Sequence, residues 1–175
     1  MRIIAGKNKG RKLYGFQGDD IRPTSDKARE ALFAILGNIN GLDFLDCCCG
    51  SGAVGLEAES RGANSVLVDS NAQSVDLAKK NAELIKSDSL IIKNDALAFL
   101  RTTDKRFDII FLDPPYKLDL CQDAVKTVSE RKLLKEGGLL IYEKERSEDC
   151  SYADIKKFKE KKYGKAIFSF YRSEI

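Results

Sequence analysis

At 175 residues, with 43% hydrophobic and 33% charged residues, the chain has the proportions of one soluble globular domain with a sizeable core. No apolar run reaches membrane-spanning length and the amino terminus has no signal-type apolar stretch, so no membrane association and a cytoplasmic location are expected. Cys47, Cys48 and Cys49 are adjacent and the chain has no histidine, a pattern that suits neither a disulfide framework nor a metal site; packing residues in a reducing cell are expected instead.

The net charge of +3 is unevenly spread. Arg2, Lys7, Lys9, Arg11 and Lys12 crowd the first residues with no acid among them, between Gly6, Gly10, Gly15 and Gly18. This reads as a small hairpin or arm over residues 1–20, lying outside the rest of the site. Lys156, Lys157, Lys159, Lys161, Lys162 and Lys165, opposed only by Glu160, form a second basic run. Either run alone commonly means a solvated face; together they suggest a polyanionic partner.

Arg22-Pro23-Thr24 opens a helix with Thr24 as its N-cap, Ala28, Ala31, Leu32, Ile35 and Leu36 recur at helical spacing, and Gly37 closes it. From there the chain alternates. Residues 44–48, 65–69, 90–93, 107–112 and 139–143 read as strands, and 53–61, 72–86, 96–101 and 120–134 as helices. Such alternation predicts an α/β, doubly wound, mainly parallel sheet with right-handed crossovers. Tyr163-Gly164 before the apolar residues 166–171 predicts a terminal antiparallel hairpin. No linker or repeat divides residues 1–175, which read as a single domain.

Two motifs carry chemistry. Gly50, Gly52 and Gly55 follow the first strand and open a helix, matching the G-x-G-x-x-G turn that lets a ligand approach the backbone. Asp69, about twenty residues on at the end of the second strand, is placed to accept ribose hydroxyls. That pattern fits a dinucleotide or S-adenosylmethionine equally. Asp46, just before the loop, favours a cationic amino-acid moiety over a pyrophosphate. Asp95-Ala96, after the third strand, places a carboxylate where an adenine amino group could donate. Each of these acids could instead cap a helix or turn.

The second motif is Asp113-Pro114-Pro115-Tyr116, at the end of the apolar strand 107–112. In open α/β sheets ligands bind at that end of the strands. The prolines fix the backbone, so the Pro114 carbonyl and the Asp113 carboxylate offer two acceptors for an exocyclic amino group. Tyr116 offers a ring face to the base that carries it. A strand-ending turn is the plainer meaning of Pro-Pro, but the company of the glycine loop favours the chemical one.

With these residues assembled, the chain resembles class I methyltransferases, and in particular the RsmD-type 16S ribosomal RNA guanine-N2 methyltransferases. The specific part of the likeness is the stretch 1–13 and the stretch 21–30; the glycine loop, the residues 55–63 and Asp113-Pro114-Pro115-Tyr116 complete it. The cysteine triplet and Glu59 depart from the usual pattern. The resemblance implies a Rossmann-like fold with a seven-stranded sheet, S-adenosylmethionine as cofactor, and methyl transfer to the exocyclic N2 of a guanine in small-subunit ribosomal RNA, met within a ribosomal particle. Asp113, Pro114 and Tyr116 would form the catalytic set, and Asp46, Gly50, Gly52, Asp69, Asp95 and Ala96 the cofactor set. Lys7, Lys9, Arg11, Lys12 and Arg22 would hold RNA, with Thr24, Asp26 and Arg29 lining the cleft or simply belonging to a capped surface helix.

Three other readings compete. An N6-adenine or N4-cytosine nucleic-acid methyltransferase shares the Asp-Pro-Pro-Tyr logic, but the DNA enzymes usually need a target-recognition region this chain has no room for. A nicotinamide oxidoreductase explains the glycines and leaves Asp113 and Tyr116 without a role. A non-catalytic RNA-binding or assembly protein on the same fold would not be expected to keep both motifs intact.

Overall fold

A computed structural model describes residues 1–17 and 24–174. Its elements, in chain order, are α1 (Asp26–Leu36), β1 (Asp43–Cys47), α2 (Ala53–Ser60), β2 (Asn64–Asp69), α3 (Ala72–Leu84) and β3 (Leu90–Lys93). They continue with α4 (Ala96–Thr102), β4 (Phe107–Leu112), α5 (Cys121–Arg131), β5 (Leu134–Lys144), β6 (Ile155–Tyr163) and β7 (Ala166–Ser173). The strands make one seven-stranded sheet in the order β3-β2-β1-β4-β5-β7-β6. The pairs β3-β2-β1-β4-β5 are parallel, and β7 runs antiparallel to both β5 and β6.

The expected α/β sheet with a terminal hairpin is therefore the one observed. Its central strands read as continuous apolar runs because both faces are covered. One face packs Leu45, Val68, Ile110, Leu112 and Tyr142 against α4 and α5; the other packs Phe44, Ile109, Phe111, Ile141, Phe168 and Phe170 against α1. The chain order reverses between β1 and β4, so the crevice at their carboxyl ends is the switch point where ligands bind in such sheets. Among the described residues no helix is long and apolar enough to cross a membrane.

Local readings needed correction at three places. The N-cap of α1 is Ser25, whose hydroxyl accepts from the Ala28 N–H at 3.1 Å, and not Thr24. The helix expected over 120–134 stops at Arg131, because Lys132 takes a left-handed conformation (φ 53°) and turns the chain into β5. β5 thus begins at Leu134, pairing with Phe107, well before the apolar residues from Leu139 that marked it in the sequence.

The amino-terminal segment is a short antiparallel hairpin: Ile3 N–H donates to the Arg11 carbonyl at 2.9 Å, and Leu13 N–H to the Met1 carbonyl at 2.9 Å. It is docked on the domain rather than projecting from it. Ile3 and Leu13 are buried against Ala53, Leu56, Leu67 and Ala78. Glu57, fully buried on α2, accepts from the backbone N–H groups of Ile4 (2.8 Å) and Ala5 (3.1 Å) and pairs with Arg61 at 2.9 Å and Arg29 at 3.9 Å. Gly6 lies so close to α2 that a Cβ there would sit 1.9 Å from the Ser60 carbonyl oxygen.

Candidate active site

The loops after β1, β2, β3 and β4 share one edge of the sheet because those strands are parallel, and backbone bonds knit them together. Cys49 N–H donates to the Val68 carbonyl (3.0 Å), Asn94 N–H to that of Asp69 (3.0 Å) and Asp113 N–H to that of Cys47 (3.4 Å). The chain leaves β1 through Cys48 at φ 61°, then Gly50 and Gly52 at φ 55° and 87°, and enters α2 at Ala53. Left-handed glycines at these two positions bring bare backbone to the helix amino terminus, a concavity suited to ligand contact. Gly55 serves packing: a Cβ there would meet the Leu67 side chain at 2.6 Å.

Asp69 ends β2 half-buried, with one oxygen accepting from Gly50 N–H and the other from Asn71 N–H, each at 2.9 Å. Each carboxylate oxygen has a second lone-pair site, so Asp69 retains capacity for ribose hydroxyls. Asp95 caps α4, its Oδ2 accepting from Ala98 N–H at 2.9 Å, and its exposed carboxylate stands beside buried Ala96. The cap engages Oδ2, so it does not by itself decide between the capping and ligand readings of Asp95.

Asp46 sits differently from the placement the sequence suggests. It is 1% exposed beneath the loop, with Oδ2 accepting from Gly55 N–H at 2.9 Å, and burial pushes its carboxyl up to about 8. Its visible work is to brace the glycine turn from below. The three neighbouring thiols are held protonated, chiefly by burial and then by surrounding carboxylates and one another, and so pack as unreactive small groups.

At the end of β4 the Asp113 carboxylate meets two residues from distant parts of the chain. The Thr24 hydroxyl lies 3.3 Å from Asp113 Oδ2 and 3.1 Å from Glu143 Oε2. A hydroxyl has one hydrogen, so it serves one acceptor at a time and the two carboxyls share what remains. Burial first, and then the Glu143 charge, holds Asp113 well above the usual carboxylate range; burial raises Glu143 as well. The pair therefore keeps a proton where isolated carboxylates would have lost theirs. Pro114 is buried, Tyr116 is 54% exposed, and the far end of the loop is latched where Leu120 N–H donates to the Tyr142 hydroxyl at 3.1 Å.

Glu143 escaped the sequence reading, although the signal was present: a lone acid closing an apolar strand, as with Asp46 and Asp69. Asn81 also escaped it. This fully buried side chain on α3 donates to the carbonyls of Tyr14 and Ser51, both at 2.9 Å, tying the amino-terminal hairpin to the glycine loop. The Phe16 ring approaches the same loop, 3.7 Å from where a Cβ on Gly50 would stand. The hairpin is thus in contact with the loop, which corrects the expectation that it lies outside. All four of its basic residues from Lys7 to Lys12 are exposed, but Lys7 pairs with Glu59 at 2.5 Å and Arg11 donates to the Leu84 carbonyl at 2.8 Å, while Lys9 and Lys12 have no ion pair among the described residues. Arg29, assigned to the cleft or a surface helix, is fully buried behind Thr24, whose carbonyl it contacts at 3.3 Å, and pairs with Asp26 at 3.0 Å. Arg22 lies outside the described residues.

Residues 1–172 match the family model described as "Conserved hypothetical protein 95". The chain belongs to this family. "Ribosomal RNA small subunit methyltransferase D" of Haemophilus influenzae is 32% identical, over 83% of this chain and 79% of that protein. The protein of the same name from Escherichia coli strain K12 is also 32% identical, over 83% and 75%. Among solved structures, "Putative methyltransferase yhhF from Escherichia coli" superposes with a TM-score of 0.87 at 31% identity, covering 99% of this chain and 98% of the other. The RsmD-type resemblance and the class I methyltransferase fold are thereby established.

Proposed function

We propose that this protein transfers a methyl group from S-adenosylmethionine to the exocyclic N2 of a guanine in 16S ribosomal RNA. The observation that carries the reading is the meeting of two loops at the β1/β4 switch point: the left-handed glycine turn of Gly50 and Gly52, and the half-buried Asp113 carboxylate followed by Pro114 and an outward Tyr116. The names of the relatives supply the ribosomal RNA.

The residues fit the cofactor. The glycine turn offers backbone, Asp69 has lone pairs to spare for ribose hydroxyls, and Asp95 with Ala96 fits an adenine edge, while Asp46 braces the turn that does the holding. When bound, S-adenosylmethionine supplies an electrophilic methyl group on a sulfonium centre.

The chain's own part concerns the amine. An aromatic amine is a weak nucleophile because its lone pair is conjugated with the ring. Asp113 and the Pro114 carbonyl accept its two hydrogens, favour a pyramidal nitrogen and aim the lone pair; Tyr116 stacks on the base. Fixed acceptors of this kind act by positioning and by stabilising positive charge as it develops on nitrogen. No general base is required, since the amine proton becomes acidic only once the new bond forms. Thr24 and Glu143 hold Asp113 from behind, leaving its other oxygen for the substrate.

The test is nucleoside mass spectrometry of small-subunit rRNA from cells with the gene, without it, and without it but carrying Asp113→Ala. Loss of N2-methylguanosine in the last two is expected. Loss of N6-methyladenosine or N4-methylcytidine instead would replace guanine as the target, and an unchanged nucleoside profile would refute the reading.

A further inference from the structure

The carboxy-terminal hairpin carries a feature that the glycine loop and Asp113 do not use. β6 is the sheet's outer edge, and its register slips between Lys157 and Lys159. Bulges re-aim side chains. Here Lys157 pairs with Tyr171 and Lys159 with Phe170, so beyond the bulge Lys159 and Lys161 turn to the face that carries Phe168 and Phe170. Phe158, at the bulge, is 40% exposed; its ring leans on Phe170 (6.4 Å between centroids), and the Arg172 guanidinium lies over it at 4.5 Å.

This face is level with the active site. Glu143 pairs with Phe168, and Phe168 with Lys161, so Lys161 stands in the same row, two strands from the carboxylate behind Asp113. Strand spacing puts the two backbones about 10 Å apart. Lys159 and Lys161 have no ion pair among the described residues, whereas the one acid of the run, Glu160, is taken up by Lys157 at 2.7 Å. Lysines on an edge strand also guard against pairing with another chain. That duty requires charge alone. It does not call for a half-exposed aromatic ring under a guanidinium plane, which is the combination that stacks unpaired bases.

We propose that the outer face of the β6–β7 hairpin is a single-strand RNA platform: a base stacks on the Phe158–Arg172 layer, and Lys159 and Lys161 hold the phosphates next to it. The choice of RNA rests on the function proposed above, but the platform can be tested without methylation. A fluorescent oligouridylate of about twelve nucleotides, long enough for such a site, is titrated into the full chain by anisotropy across a salt series.

Phe158→Ala and Phe158→Leu should each weaken binding about tenfold, while Phe158→Tyr binds as wild type. Leucine keeps the apolar contact with Phe170 and removes only the flat ring, so agreement between the first two variants excludes a folding effect. Lys159→Ala with Lys161→Ala should reduce the slope of log affinity against log salt by about 1.4, at roughly 0.7 per lost phosphate contact. Affinity for S-adenosylhomocysteine should not move. Wild-type affinity and slope in all variants would overturn the platform, whatever the methylation assay reports. Variants that bind oligouridylate normally but lose the small-subunit particle would also overturn it, in favour of a protein surface. If instead these variants lose oligouridylate while the wild type modifies no rRNA, the platform stands and the catalytic reading falls.

Discussion

Replacing Gly55 with alanine sets two effects of known size against each other. Gly55 lies in the first turn of α2, where alanine is favoured over glycine by about 1 kcal/mol through helix propensity alone. The new methyl group, however, would stand 2.6 Å from Leu67 Cγ, 2.7 Å from Cδ1 and 3.0 Å from Cδ2. Leu67 is fully buried among Leu56, Ala78 and Cys49 and cannot swing aside, so either β2 or α2 must shift. Overpacking of this kind costs about 1–3 kcal/mol. Moving α2 also stretches the buried bond from Gly55 N–H to Asp46, worth about 1 kcal/mol. The net expectation is a loss of about 2 kcal/mol, read by urea unfolding, with weaker binding of S-adenosylhomocysteine because the glycine turn moves with the helix. Leu67→Ala opens the space. In that background Gly55→Ala should be neutral or stabilising, by up to about 1 kcal/mol. If Gly55→Ala stabilises the otherwise unaltered chain, the contact with Leu67 does not limit the approach of α2 to the sheet and the reasoning fails.

Glu57→Ala should cost about 4 kcal/mol in denaturant unfolding, because it leaves the buried Arg29 short of an opposite charge and two backbone N–H groups without an acceptor; a loss below 1 kcal/mol would show that Glu57 does not anchor the amino-terminal hairpin. Glu143→Gln removes a charge that raises Asp113, so the acid limb of the kcat/KM profile should move to lower pH, while burial still keeps Asp113 above its ordinary value; an unmoved limb would mean that the two carboxyls do not share a proton. Asp46 binds a proton more tightly folded (about 8) than at its ordinary value of 3.8, so ionising it opposes folding: stability is greatest below about pH 4 for this group and falls as pH rises towards 8. Asp46→Asn should therefore lose less stability than wild type between pH 5 and pH 8, and parallel urea-midpoint curves would contradict the assignment.

What the sequence determined by itself was whatever rests on local pattern. Apolar runs separated by amphipathic stretches predicted strands β1 to β4 and helices α2 to α4 within a residue or two, the central strands because burial on both faces leaves a continuous apolar signature. The glycine spacing and Asp113-Pro114-Pro115-Tyr116 marked the switch point before any pairing was known. Tertiary structure decided everything that depends on which distant residues meet. Thr24 lies 89 positions from Asp113 and 119 from Glu143, yet its hydroxyl joins them, and with Thr24 so engaged it is Ser25 that caps α1. Asp46 looks like a ligand-facing acid in sequence, but the loop folds over it and burial changes its protonation. The basic amino terminus looks like a free arm until Glu57 and Asn81, two fully buried polar side chains, are found holding it to α2 and the glycine loop. Strand order and register, set by packing the whole sheet at once, then carried Lys161 into the row of Glu143, a relation that no pattern along the chain encodes.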